Sequence, residues 1–226
     1  MNPLILTIDT ALSSAAVCLA QGQQIIASAT IEVQNEQASW LQPAIRDLLK
    51  GADLVTASLD AVAVSAGPGS YTGLRIAMAS AKGLCYVLKK PLICLDTLLV
   101  MARTARQKEQ SPSLYCPMID ARRMEVYYAL YDNDLQVLEP VQALVLNELS
   151  FEKWLQAGSV RFFGDGAAKF KALLKSDTAL FPEIGSTLEQ AACLAAESYA
   201  NQAFADLAYA EPNYVKAFYT PVKAKC

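Results

Sequence analysis

The chain has 226 residues, 54% of them hydrophobic and 18% charged, with a net charge of −3. Such a composition is globular, the length suffices for one large or two small domains, and the charge supplies no general field for nucleic acid. The sequence contains no histidine, which excludes histidine acid–base chemistry, Ser-His-Asp triads and histidine metal sites within this chain.

Taken in order, Leu4–Asp9 (LILTID) reads as a buried strand. Ser14–Leu19 and Gln23–Val33 read as two more, joined by a turn at Gln21-Gly22. Asp9, Thr10, Ser13 and Ser14 stand where the first strand turns. A lone carboxylate such as Asp9 needs phosphate and water beside it to hold Mg²⁺, and Asp9 and Thr10 serve a turn equally well. Asn35–Lys50 is expected to be helical, with Trp40, Leu41, Ala44, Ile45, Leu48 and Leu49 forming one apolar stripe. Pro43 inside that stripe predicts a kink or a late helix start.

The strand Asp60–Val64 leads into Gly67, Gly69 and Gly73, followed by a helix reaching Leu88. A glycine-rich loop opening a helix suits a phosphate or the close approach of two backbones. A P-loop needs Lys-Ser or Lys-Thr after its last glycine, where this chain has Leu74-Arg75, and a dinucleotide fingerprint needs a glycine where it has Thr72. From Leu74 to Leu88 only Arg75 and Lys82 carry charge. A helix that apolar needs cover on more than one side. Ala77, Ser80, Ala81 and Gly83 are small enough to admit another helix. Pro91–Leu95 is a further strand, and Thr97–Gln107 a helix ending in basic residues, as a helix C-terminus favours.

The polar stretch Glu109–Ser113 marks a lobe boundary, giving lobes 1–108 and 109–226 with the final helix free to pack back on the first. Strands are expected at Leu114–Ile119 and Glu125–Tyr131, and Leu135–Leu146 is extended around Pro140. Helix Glu148–Gln156, strand Ser159–Phe163, helix Ala167–Lys175 after Gly164-Asp165-Gly166, and helix Leu188–Phe204 complete the chain. Three strands, then helix, strand, helix, thus occurs twice. That order suggests an α/β protein with an actin-like, Hsp70-like (ASKHA) fold. It would have two similar lobes, each a mixed sheet with helices, and any ligand between them. The six cysteines lack metal-site or redox spacing and read as small core residues. Met1–Ile8 is too short an apolar run for a signal peptide and no segment reaches membrane-span length, so a cytoplasmic protein is expected.

Ile8-Asp9-Thr10, Gly67-Pro68-Gly69-Ser70-Tyr71-Thr72-Gly73-Leu74-Arg75-Ile76 and Asp120-Ala121-Arg122 together resemble one family, TsaB (YeaZ), of tRNA threonylcarbamoyladenosine biosynthesis. Ala81-Lys82-Gly83-Leu84, Glu125-Val126-Tyr127 and Gly164-Asp165-Gly166 extend the resemblance through the first lobe and the middle of the second. Beyond Gly166 it is loose. Many relatives carry a histidine before the first helix's apolar stripe, where this chain reads Glu36-Gln37-Ala38-Ser39-Trp40.

The resemblance implies a non-catalytic subunit with no catalytic or metal-binding residues of its own. It implies pairing with a TsaD-like subunit that transfers a threonylcarbamoyl group to the adenosine next to the tRNA anticodon, joined by a TsaE-like ATPase. No tightly bound cofactor is expected, and ATP would be held, if at all, in the assembled complex. A phosphate or nucleotide held by this chain would meet Asp9, Thr10, Gly67 and Gly69. A homodimer is expected when the chain is alone, tRNA is reached only through the complex, and no membrane is involved. The two apolar helices of the first lobe should lie side by side, and Trp40, Leu41, Ile45, Ile76, Ala79, Gly83 and Tyr86 are the candidates for the pairing surface. The alternatives are a small-molecule kinase of the actin-like superfamily, which would need Asp120 or Gly164-Asp165-Gly166 as its second-lobe motif, and a homodimeric scaffold. Arg122, Arg123, Lys216, Lys223 and Lys225 are the local basic groups; a solvated face and tail account for them, and contact with tRNA in the complex is the other reading.

Overall fold

The computed structural model describes residues 2–32, 36–109 and 111–216, so Lys223, Lys225 and the expected element ends at Val33 and Asn35 lie outside the described residues. Its first sheet contains β1 (Leu4–Asp9), β2 (Ala15–Gln21), β3 (Gln24–Ile31), β4 (Ala61–Gly67) and β5 (Leu92–Asp96) in the order β3-β2-β1-β4-β5. The first three strands form an antiparallel meander, and β4 and β5 add in parallel beside β1. The second sheet contains β6 (Leu114–Asp120), β7 (Glu125–Tyr131), β8 (Val137–Val145), β9 (Val160–Phe163) and β10 (Ala179–Leu180) in the order β10-β9-β6-β7-β8. Its meander is again antiparallel and its added strands parallel, so the two lobes share one plan.

Alternation along the central strand decides which helices cover which face. Leu4, Leu6 and Ile8 pack with Leu41, Ile45, Leu48, Met78 and Cys85 from α1 (Gln37–Gly51) and α2 (Tyr71–Leu88). Ile5 points the other way and packs with Ala191 and Ala195 of α6 (Leu188–Ala200). The helix α3 (Thr97–Lys108) lies on the second sheet, where Leu98, Met101 and Ala105 meet Tyr115, Ile119 and Phe163. The opposite face of that sheet carries α4 (Glu152–Ala157) and α5 (Ala167–Leu173) over an aromatic group of Phe151, Phe162 and Phe170.

The lobes are therefore joined by exchanged helices. A boundary near Glu109 separates the sheets, but α3 covers the second sheet and α6 returns to the first. The two helices are tied by a bidentate Arg103–Glu197 pair and by Gln190 Nε2 donating to Gln107 Oε1 at 2.9 Å.

Several elements depart from expectation, three of them for reasons visible in the structure. α1 begins at Gln37 and runs through Pro43. Buried Leu41, Ala44 and Ile45 on either side hold the helix together where proline removes one hydrogen bond. α4 starts at Glu152, four residues later than the expected Glu148. Ser150 Oγ accepts from Asn147 N, Asn147 Oδ1 accepts from Leu149 N, and Phe151 is left-handed, so these residues close a turn instead. α6 stops at Ala200 because Gln202 is left-handed (φ 54°).

Candidate functional site

Two regions of the first lobe draw on the residues singled out by sequence. The first is the meeting of the β1–β2 turn with the glycine-rich loop. Thr10 is fully buried and its Oγ1 donates to Gly73 O at 2.6 Å. Ser70 N donates to Ala11 O at 2.7 Å, and Ser70 Oγ accepts from Gly73 N as the N-cap of α2. A Cβ built on Gly69 would lie 2.2 Å from Ala11 O, and one on Gly73 would lie 2.0 Å from Thr10 O. Gly67 has φ +113°, and a Cβ there would meet Asn213 O and Leu74 Cδ1 at 3.1 Å. These glycines serve the close approach of two backbones.

That geometry gives Thr10, Gly67 and Gly69 a packing role of their own. The Thr10 hydroxyl donates its proton to a backbone carbonyl, and Gly69 lies against the backbone of Ala11. Asp9 Oδ1 accepts from Ala11 N at 3.0 Å. Burial raises the Asp9 carboxyl above its ordinary range, with Ala11 N–H and the hydroxyls of Ser65 and Ser186 pulling the other way. In this structure the Asp9 carboxyl holds the β1–β2 turn. Among the described residues no three His, Cys, Asp or Glu side chains form a metal-binding group.

A cleft of about 1280 Å³ opens beside this junction, between Ala11–Ser13, Pro68–Thr72 and the β6–β7 turn of the second lobe. Arg122 and Arg123, at the tip of that turn, are both left-handed (φ 70° and 48°), an unusual pairing for residues with side chains. Asp120 holds the turn: its Oδ1 accepts from Arg122 N and from Lys169 Nζ, while its own N donates to Asp165 Oδ1. Burial works to raise the Asp120 carboxyl, but Lys169 and the Arg122 N–H together hold it below its ordinary value. Asp120 and Asp165, the second-lobe residues a kinase would need, are thus engaged in turn chemistry.

The second region is the outer face of α1 and α2. The helices lie side by side, linked by Gln42 Nε2 donating to Ser80 Oγ at 2.9 Å. On α2 the inner positions Leu74, Ala77, Met78, Ala81 and Cys85 are buried, whereas Ala79, Gly83, Tyr86 and Val87 are exposed. Tyr86 is 77% exposed, and a Cβ on Gly83 would meet nothing within 4 Å. Ile76 and Trp40 are half-buried at the edge of the first-lobe core.

Two candidates for the pairing surface are corrected. Leu41 is 0% exposed and Ile45 3%, so both belong to the core beneath α1. The apolar stripe of α1 is the face it turns to its own sheet. On α2 the apolar residues run around the helix, so part of them must face outward. Sequence reasoning missed the segment that follows α6. Lys82 Nζ donates to the carbonyls of Ala208 and Ala210, and Arg75 Nε to Tyr214 OH. Two isolated charges in an apolar helix were the only signal that α2 meets polar groups on one flank.

Comparison with known proteins gives one pattern. The family described as "TsaD: tRNA N6-adenosine threonylcarbamoyltransferase" matches residues 31–218. The Escherichia coli tRNA threonylcarbamoyladenosine biosynthesis protein TsaB is 30% identical over 223 residues, covering 94% of each chain. The Bacillus subtilis protein of the same description is 33% identical over 137 residues, covering 61% of this chain and 58% of its own length. Among solved structures, YeaZ from Pseudomonas aeruginosa superposes with a TM-score of 0.79 at 24% identity, over 94% of this chain and 99% of that one. The ethanolamine utilization protein EutJ from Carboxydothermus hydrogenoformans shares the two-lobed, actin-like fold more distantly, with a TM-score of 0.51 at 12% identity.

Proposed function

The chain belongs to the TsaD family and, within it, to the TsaB proteins of tRNA threonylcarbamoyladenosine biosynthesis, and we propose that it serves that pathway as a non-catalytic subunit. In this reading it pairs with a TsaD-like subunit, which supplies the metal chemistry, through the outer face of α2 flanked by α1. A TsaE-like ATPase joins the pair, and tRNA is met only in the complex, in the cytoplasm. ATP, where it is used, belongs to the assembled complex.

The observation that carries the reading is the outward ridge of α2. Ala79 and Gly83 are small and exposed, with Tyr86 beyond them. Small residues let another helix come close, and an aromatic beside them is a suitable anchor. Trp40 and Ile76 would form the margin of the contact. Without a partner the same ridge would serve a second copy of the chain. The absence of histidine supports a role without metal catalysis. The engagement of Asp9, Asp120 and Asp165 in turns counts against the kinase reading.

The test is reconstitution. The purified chain is expected to give no threonylcarbamoylation of tRNA and no ATP turnover alone, and to raise the modification rate of a TsaD-like subunit when added to it. Robust ATP hydrolysis by the isolated chain, lost in Asp9→Ala, would transfer the assignment to a kinase.

A further inference from the structure

After α6 the chain runs back across the first lobe as a strap, residues 201–216. Its moorings there are numerous. Ala205 N donates to Leu92 O at 2.8 Å, at the first residue of strand β5. Lys82 Nζ reaches Ala208 O at 3.2 Å and Ala210 O at 2.8 Å. Asn213 N donates to Ala66 O at 2.7 Å, directly before the glycine-rich loop. Arg75 Nε donates to Tyr214 OH at 2.9 Å, while its guanidinium lies 4.1 Å from the centre of the Tyr71 ring. The Tyr71 and Tyr214 rings are 5.4 Å apart.

At its far end the strap changes lobes. Asn213, Tyr214, Val215 and Lys216 line the cleft, and Lys216 Nζ pairs with Glu125 Oε2 at the start of β7. Among the described residues this is the strap's only hydrogen bond or ion pair to the second lobe. Lys216 is half exposed and Glu125 largely covered, so the pair sits where salt can reach one partner.

We propose that the strap is a latch on the interlobe cleft, fixed to the first lobe and closed on the second by Lys216–Glu125. The exchanged helices α3 and α6 form the base about which the lobes turn, and the ion pair holds the mouth beside Arg122 and Arg123. Many fixed points on one side and one exposed ionic contact on the other make that contact the place where the mouth opens. Opening would widen the cleft and leave the moorings at Ala66, Lys82 and Arg75 intact, because they lie wholly within the first lobe.

The relative orientation of the two sheets, read from residual dipolar couplings of their backbone amides in the full chain, tests this. At low salt the wild type should show the closed orientation. Lys216→Ala should rotate one sheet against the other on the order of 10°, the scale of interface rotations in switching proteins, and Glu125→Gln should do the same. Lys216→Arg should retain the closed orientation. Raising salt to about 1 M, where screening is within about 3 Å, should open the wild type and leave Lys216→Ala unchanged. Couplings unaltered by both Lys216→Ala and salt would overturn the latch. So would Lys216→Arg behaving like Lys216→Ala, since charge would then not be the cause. Should Lys216→Ala fail to fold, the salt series on the wild type decides alone.

Discussion

Two glycines on α2, ten residues apart, have opposite surroundings. Gly73 sits against the backbone of Thr10, where a Cβ would come within 2.0 Å of a carbonyl oxygen; Gly83 faces open space. The first is glycine because the fold allows nothing larger. The second has no such reason among the described residues, and a glycine in a helix interior costs about 0.5–1 kcal/mol relative to alanine. A residue that weakens its helix and fills no space in the lobe fits a surface that another helix must approach.

The contrast breaks most sharply under one small substitution. Gly73→Ala should destabilise the chain by roughly 3 kcal/mol or more, since the obstacle is backbone and the overpacked turn cannot yield without parting β1 from α2. Gly83→Ala should leave stability unchanged or raise it by about 0.5–1 kcal/mol. Urea unfolding of both variants measures the difference, and equal effects would remove the distinction. Thr10→Val sharpens the same contrast at smaller scale. It keeps the shape but leaves the buried Gly73 carbonyl without its 2.6 Å partner, for a loss of about 1–3 kcal/mol.

The smallest effect separates one carboxylate of each lobe. Asp9 has its folded pKa raised, so the folded state binds its proton more tightly than the unfolded one. Its contribution to stability is greatest below the unfolded carboxylate pKa and diminishes as pH rises through the folded value. Asp120 is lowered, so its contribution is present above the unfolded pKa and is lost as pH falls through the folded one. Carbon-detected NMR titration should place Asp9 above and Asp120 below the ordinary 3.8. The reverse order would mean that burial does not dominate at Asp9.

The duplicated lobe plan was legible in the sequence because strand alternation and the strand–loop–helix order leave a local imprint at each element. The side-by-side placement of α1 and α2 followed from the same order. The pairing residues were legible only in part. A stripe such as Leu41 and Ile45 looks alike whether it faces a sheet or a partner, and only the helix apolar on several faces distinguishes the two. The glycine loop left phosphate binding and close packing equally open, because glycine satisfies both; the carbonyls of Thr10 and Ala11, which account for Gly73 and Gly69, are distant in sequence. The strap was illegible for a related reason. Most of its moorings use backbone carbonyls, those of Ala66, Leu92, Ala208 and Ala210, and only Arg75 and Lys82 on α2 hint at them from the side-chain pattern.

The central claim is that the exposed ridge of α2 exists for a partner, and one binding measurement meets it directly. Isothermal titration of the wild type and of Gly83→Arg with the TsaD-like subunit, after circular dichroism has shown both to be folded, compares their affinities. Gly83→Arg should retain wild-type stability and lose at least about a hundredfold in affinity, because a cation would be buried unpaired in the contact. Wild-type affinity in the folded variant would contradict the account.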